Sequence, residues 1–394
     1  MYFYDNLLAY LQSCKANFNF RSLKNTYQKD KLIDTKTPLD LINLSSNDYL
    51  GLGHDSNLVK DFLSTINVDE DSKGSYYFSS SSSRLLTGQF EIYKEFEDHI
   101  KELYGKEALF INSGYDANTG VISTLFDKDT LILADKKSHA SIIDGMLQSK
   151  AKSMRFAHND VDHLKSLINK YGKDYKTIVV ITESIFSMDG DIAPLSDFVL
   201  LKKEYDNVLL YVDEAHSFGL YENGLGLCHS LLIKDDIDFV LFTLGKGFGS
   251  CGSVFMCNKV VKDYLINCMR AFIFTTAIPP INLCYSLYLL KRFKDFAPRY
   301  ERLRAISQKV IETIDECGFK SPSKSQIIPI ILGSNEKAIK ASEYFIKKGF
   351  YALPIRYPTV PKNEARLRLS LSSMLQDDDI NNLCSLIKTL PTIL

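Results

Sequence analysis

A lysine set between glycines is the first candidate for chemistry. Lys246 lies in TLGKGFG, directly after the apolar run 239–242. That run has the length and aromatic or β-branched content of a buried strand. The flanking glycines let the chain bend sharply and cost backbone entropy. An amine is thereby held at the carboxyl end of a strand, where open α/β sheets bind ligands. Three readings compete. An ordinary solvated loop lysine is the simplest. Gly247, Gly249 and Gly252 also fit the G-x-G-x-x-G of a dinucleotide site. That match falls late in the chain, and CNKVVKDYLI after it offers no second strand ending in an acidic residue. The third reading is an amine that condenses with an aldehyde.

The other groups needed by each chemistry separate the readings. Asp213 and His216 follow the apolar run of LLYVDEAHSFG. Asp-Glu-Ala-His also spells a helicase-type box, but none of the Gly-Lys pairs is followed by Ser or Thr as a phosphate loop requires. Asp213 could simply cap a helix. A pyridine ring, however, needs a carboxylate to keep its nitrogen protonated. Ser113, Gly114 and Tyr115 form a strand-to-helix turn, and the free N–H groups of a helix start suit a phosphate. His139 in KKSHASI can stack on a flat ring. Ser187 in SIFSMDGD and Thr243 can hydrogen-bond. An amine, a carboxylate and a phosphate cradle in successive strand–helix units point to pyridoxal 5'-phosphate. Neither metal-ligand spacing nor a Gly-x-Ser-x-Gly elbow competes.

The elements around these residues read as α/β. FEIYKEFEDHIKELYG has helical spacing and stops at Gly105. The apolar runs ALFIN, TLILAD, TIVVITE, VLLYVD and DFVLFT alternate with helical stretches, the pattern of a mostly parallel sheet. Residues 1–45 read as an N-terminal arm with an amphipathic stretch at 7–11 and a short strand from Leu39. Residues 46–280 read as the large cofactor-binding domain and 281–394 as a small α+β domain. That small domain opens with a long helical segment over about 283–314. The serine run 79–83 is either a flexible linker or an ordered loop. The 394 residues allow a substantial core, and the net charge of -1 implies no broad basic surface for nucleic acid. Eight cysteines without C-x-x-C pairs suggest reduced thiols in a cytoplasm. No secretory leader is expected from residues 1–12, and no apolar run approaches the ~20 residues of a membrane helix.

LSSNDYLGL, SGYDAN, DKKSHASI, TESIFSMDGD, VDEAHSFG, TLGKGFG, FTTAIPP, IRYPTVP and ARLRLSLS occur in one order from about Arg21 onward. With them the chain resembles the α-oxoamine synthases, fold-type-I pyridoxal-phosphate enzymes that join an amino acid to an acyl-CoA with decarboxylation. The resemblance implies that Lys246 holds the cofactor, that Gly114, Tyr115 and Thr243 meet its phosphate, and that Asp213 pairs with the ring nitrogen. It implies that His139 stacks on the ring and that Ser187 and His216 bond its hydroxyl side. Arg368 would take the amino-acid carboxylate, with Asn47 near the substrate and Arg21 and Thr359 on the acyl group. It implies a homodimer with shared sites, in which Thr275 reaches the neighbouring subunit's phosphate. FAHNDVDHL and IRYPTVP favour the branch that uses L-alanine and a pimeloyl thioester, carried by coenzyme A or a carrier protein. A sister enzyme using glycine or serine with another acyl-CoA stays open, as does a non-catalytic cofactor-binding module. Two departures stand out. Serines 79–82 replace much of a glycine-rich loop, and Phe218 stands where small residues are common.

Overall fold

A computed structural model describes residues 2–23, 26–28, 32–34, 40–71, 73–221 and 224–393. The chain forms two compact units. One comprises Leu50–Ser187 and Ile192–Tyr300, and the other Met1–Tyr49, Met188–Asp191 and Glu301–Leu394. The division thus falls after residue 300, where the sequence pattern suggested about 280, and residues 1–49 belong with the C-terminal segment.

In chain order the N-terminal segment carries helix α1 (Tyr2–Ala16) and strands β1 (Thr26–Gln28), β2 (Leu32–Asp34) and β3 (Asp40–Asn43). Leu39, the expected start of the last strand, lies outside the described residues. The expected arm therefore contains a regular helix, and none of the residues of α1 is buried.

The larger unit is built on a seven-stranded sheet. Its strands are β4 (Glu107–Ile111), β5 (Thr130–Asp135), β6 (Lys152–Phe156), β7 (Thr177–Glu183), β8 (Val208–Asp213), β9 (Phe239–Thr243) and β10 (Ser253–Cys257). They lie in the order β4-β10-β9-β8-β7-β5-β6. All neighbouring pairs from β9 to β6 are parallel, and β10 runs antiparallel to both β4 and β9. Strands such as TLILAD and VVIT show no in–out alternation because both faces are covered. Leu109, Ile132, Val179, Ile181, Leu241 and Phe255 join Val121 and Ile142 in one core.

Helices α2 (Ser56–Ser64), α3 (Glu91–Tyr104), α4 (Gly114–Leu125) and α5 (Ala140–Gln148) belong to the same unit. Helix α3 ends where expected, on Gly105 in the left-handed conformation at φ 74°. Helices α4 and α5 cross closely at Gly145, where a Cβ would lie 2.8 Å from the carbonyl oxygen of Asn118. That approach matters below, because both helices begin at the candidate site.

The serine run is an ordered loop. Ser80 Oγ donates to the Ile278 carbonyl at 2.6 Å, and the Ala277 N–H donates to the Ser82 carbonyl at 2.9 Å. Next to it, Arg84 Nη1 meets Glu97 Oε1 at 2.8 Å and the Phe110 carbonyl at 2.9 Å. Glu97 also accepts from Phe110 N–H and pairs with Lys262 at 3.1 Å. Phe218 fills space in the core, stacked on Phe242 with ring centroids 3.7 Å apart and also touching Phe248 and Phe293.

The long helical segment expected over about 283–314 is broken. Helix Pro280–Leu290 is followed by a 3₁₀ turn, Phe293–Phe296, and then by helix Ala297–Glu316. Phe293 and Phe296 are both buried, and the tighter 3₁₀ spacing brings residues i and i+3 to one side.

In the smaller unit β11 (Ile327–Gly333), β14 (Ala365–Ser370) and β13 (Pro354–Ile355) form an antiparallel sheet. Strand β12 (Phe350–Tyr351) pairs parallel to β3.

The Glu97 cluster yields a stability prediction. Glu97→Ala leaves the buried Arg84 without its carboxylate, and such a break costs about 3–5 kcal/mol. Urea unfolding should show a midpoint shifted down accordingly; an unchanged midpoint would refute this role for the pair.

Candidate active site

The parallel strands β7, β8 and β9 deliver their last residues side by side. Glu183 is in register with Asp213, and Asp213 with Leu241 two residues before Thr243. The site grows from these strand ends.

Lys246 lies three residues beyond β9. The turn is closed by the Gly249 N–H on the Lys246 carbonyl at 2.9 Å and the Ser250 N–H on the Leu244 carbonyl at 2.7 Å. The amine is 3.0 Å from Nε2 of buried His216. That is hydrogen-bond distance, with Nε2 accepting from a protonated amine or donating to a neutral one according to the imidazole tautomer.

Asp213 ends β8 and is 5% exposed. Its Oδ1 accepts the Ala215 N–H at 2.9 Å, and its Oδ2 accepts from Asn118 Nδ2 at 2.8 Å. Beside it, Glu183 is buried, and one of its carboxyl oxygens has no hydrogen-bond partner among the described residues. Burial first, and the Asp213 charge second, push the Glu183 pKa well above the carboxylate range. Burial and the neighbouring carboxylate thus both disfavour the charged form of Glu183. Glu214 follows. Burial raises its pKa to about 7, against hydrogen bonds from Cys228 and Ser217 that lower it.

Helix α4 starts at the end of β4. Ser113 caps it by accepting the Asp116 N–H. The N–H groups of Gly114 and Tyr115 belong to the first turn, which has no intrahelical acceptors to offer them. A Cβ on Gly114 would lie 2.5 Å from Thr243 Cγ2, and Thr243 Oγ1 is buried without a partner among the described residues. An orphaned hydroxyl next to unpaired N–H groups fits a multi-oxygen anion. Tyr115 is half exposed and donates its hydroxyl to Asp144, which raises the phenol pKa. Thr275 Oγ1 accepts from Asn112, the residue before Ser113, at 3.2 Å.

His139 caps α5 and is open to solvent. Crowding by its surroundings lowers its pKa, and the Asp213 charge opposes this. The loop before it is shaped by buried Asp135, which accepts from Lys137 N–H and Asn159 N–H and meets His158 at 2.9 Å. His158 stands edge-on to Phe186, with centroids 4.5 Å apart. This explains the FAHND segment structurally. Ser187 is half-buried, four residues past β7, in a loop closed by the Ile185–Ile192 bridge.

The smaller unit holds the remaining expected residues. Arg368 on β14 donates to Asn47 Oδ1 at 3.2 Å, which also accepts from Tyr49 OH at 3.2 Å. Neighbouring Arg366 is committed elsewhere, to Asp189 and Glu364. Arg21 donates to Thr359 Oγ1 at 3.0 Å. Both line a cavity of about 240 Å³ with Arg356, whose pKa is lowered by partial burial and by the charge of Arg21.

The class I and II aminotransferase family profile matches residues 39–387. The chain belongs to this family. Within it the chain groups with the fold-type-I enzymes that use pyridoxal phosphate and make α-oxoamines. It is 43% identical over 349 residues to 8-amino-7-oxononanoate synthase of Haemophilus ducreyi, covering 87% of this chain and 90% of that one. It is 41% identical over 378 residues to the Chlorobaculum parvum enzyme of the same name, covering 95% and 96%. Among solved structures, Sphingomonas wittichii serine palmitoyltransferase matches with TM-score 0.87 and 27% identity, over 99% of this chain and 97% of that one. An 8-amino-7-oxononanoate synthase from Francisella tularensis matches with TM-score 0.75 and 30% identity, over 89% and 98%.

The structure thus brings Lys246 to His216, Gly114 to Thr243, Arg368 to Asn47 and Arg21 to Thr359. The sequence reading passed over Asn118 and Glu183, and used Arg356 only as the arginine of IRYPTVP that favours one branch. Glu183 and Asn118 were signalled only by being polar on faces otherwise buried, at a strand end and on α4.

Two outcomes follow. Gly114→Ala should weaken pyridoxal phosphate binding about tenfold or more, read by absorbance titration; unaltered binding would show that the cradle tolerates a methyl. Glu214 has a folded pKa above its unfolded one, so the folded state holds the extra proton between about pH 4.5 and 7. Stability should therefore fall as pH rises through that window, by on the order of 3 kcal/mol. Glu214→Gln should flatten the slope in urea unfolding at pH 5 and pH 7.5; an equal slope in the variant would assign it elsewhere.

Proposed function

We propose that the chain condenses L-alanine with a pimeloyl thioester, releasing carbon dioxide and the thiol carrier, to give 8-amino-7-oxononanoate. The observation that carries the choice of acyl group is the Arg21, Thr359 and Arg356 cluster around one cavity. Two guanidinium groups suit an acyl chain ending in a carboxylate. A long alkyl chain would leave them without a counter-charge. The identity of 41–43% to synthases of that name supports the same reading.

Pyridoxal phosphate, when bound, supplies the sink for the electron pair left at the amino-acid α-carbon. The protein's residues do the rest. Lys246 would anchor the cofactor's aldehyde carbon, and its freed amine would take the α-proton. The neighbouring His216, whose Nε2 is 3.0 Å from that amine, would help to orient it. Asp213 would pair with the ring nitrogen and favour its protonated form. Gly114, Tyr115 and Thr243 would hold the phosphate, Ser187 and His216 would meet the ring hydroxyl, and His139 would cover the ring. Arg368, steadied by Asn47, takes the amino-acid carboxylate in a two-point contact. Arg21 and Thr359 hold the acyl group.

We also propose a homodimer with shared sites. Tyr77, Phe78, Leu85, Leu86 and Phe274 are exposed apolar side chains of the larger unit. They flank the hydrogen-bonded pair Ser82 and Ala277, a patch that suits a second copy. Thr275, adjoining it, would reach the phosphate of the neighbouring subunit.

Carbon dioxide release should be fastest for L-alanine with pimeloyl thioester when alanine, glycine and serine are crossed with pimeloyl, acetyl and palmitoyl thioesters. Preference for another pair would replace the substrate assignment, and release from none would leave a binding module. Asp213→Asn should fold yet lose turnover by about a hundredfold or more, the scale of removing one preorganised charge. Wild-type rates in that variant would contradict its pairing with the ring.

A further inference from the structure

Asn118 has no role in the reaction described above, yet the site's groups converge on it. Its side-chain oxygen accepts from Tyr211 OH at 2.8 Å. Its nitrogen donates to Asp213 Oδ2 at 2.8 Å and to Ser141 Oγ at 3.0 Å. Asn118, Ser141, Tyr211 and Asp213 are all at least nine-tenths buried. A primary amide has one acceptor oxygen and two N–H donors. These contacts use both hydrogens.

The directions of these bonds are fixed from their ends. Asp213, as a carboxylate, only accepts, so the amide nitrogen must face it, and a flipped amide would set oxygen against oxygen. The Tyr211 phenol, its pKa pushed well up by burial, is a donor to the amide oxygen. Ser141 Oγ then accepts from Asn118, and its own hydrogen is free to go to His139 Nδ1 at 2.8 Å. The Ser141 N–H donates to the same Nδ1 at 3.2 Å. A ring nitrogen that receives two donors carries a lone pair and no proton. The positive end of α5, which His139 caps, also disfavours a charged imidazolium there.

We infer that Asn118 is a positioning residue that places the proton of neutral His139 on Nε2 and ties this choice to the carboxylate of Asp213. His139 then enters the site as an N–H donor and not as a base, which leaves proton removal to Lys246. The inference deepens the proposed reaction and rests on it only for the roles of Asp213 and His139; the chain of hydrogen bonds stands independently of the chemistry. Close approach at Gly145 is what allows α4 and α5 to make this chain.

The test uses full-length protein labelled with 15N-histidine. The chain has seven histidines, and His139→Asn identifies the resonances of interest. Nitrogen shifts are recorded near neutral pH without cofactor and again with pyridoxal phosphate. Unprotonated Nδ1 and protonated Nε2 are expected in the wild type. Asn118→Leu, similar in size, should raise the Nδ1-protonated form and weaken cofactor binding about tenfold or more, since Asp213 loses a charge-assisted bond. Should that variant fail to fold, Ser141→Ala, which removes the hydroxyl link alone, should raise the same form, and Ser141→Thr should restore the wild-type pattern. A wild-type ring protonated on Nδ1, or a wild-type pattern in the folded variants, would overturn the inference. Either result in cofactor-free protein leaves the proposed reaction standing. Loss of the reaction with the tautomer intact would do the reverse.

Discussion

A carboxylate buried at the end of a parallel strand is the constraint on which the site depends. Asp213 is almost without solvent, and its oxygens are met by an amide and a backbone N–H. Those donors make the charge tolerable but do not neutralise it. Every neighbouring feature can be read against that charge. The charged form of Glu183, one strand over, is disfavoured by burial and by the Asp213 charge. A protonated pyridine nitrogen is the kind of partner that completes the arrangement. The sheet matters because parallel register sets Glu183, Asp213 and the end of β9 in one row.

Buried polar atoms and close approaches define the rest of the cradle. Gly114 is glycine because Thr243 occupies the space a methyl would need, and Thr243 has a hydroxyl with no protein partner among the described residues. Such a hydroxyl costs stability unless something accepts from it. A cofactor phosphate would give it that acceptor and would also accept from the first N–H groups of α4. Binding would then stabilise the fold at this corner, by satisfying groups left without partners among the described residues.

Much of this was legible in the residues. Near-continuous apolar runs such as VLLYVD announce strands covered on both faces, and Gly105 marks the end of α3 as read. Lys246, Asp213, Gly114 and His216 could be picked out because polar groups at strand ends are conspicuous. The break at Phe293–Phe296 was not legible, because a 3₁₀ turn and an α-helix both keep apolar residues three apart. Nor was the ordered serine loop decidable, since its order comes from bonds to Ile278 and Ala277, nearly 200 residues away. Asn118 and Ser141 were missed for the same reason. Their importance lies in what they touch across a helix crossing, and neither spacing nor residue type records it. Phe218 looked like a departure near the site and is a core residue in a stack of aromatics.

The central claim is that one amine, that of Lys246, is covalently joined to pyridoxal phosphate in the resting protein. Borohydride reduction of purified protein loaded with the cofactor, then digestion and mass analysis of the peptides, reads this directly. A phosphopyridoxyl group on Lys246 is the predicted result. A label on another lysine, or a protein that takes up the cofactor and gives no labelled peptide, would contradict it.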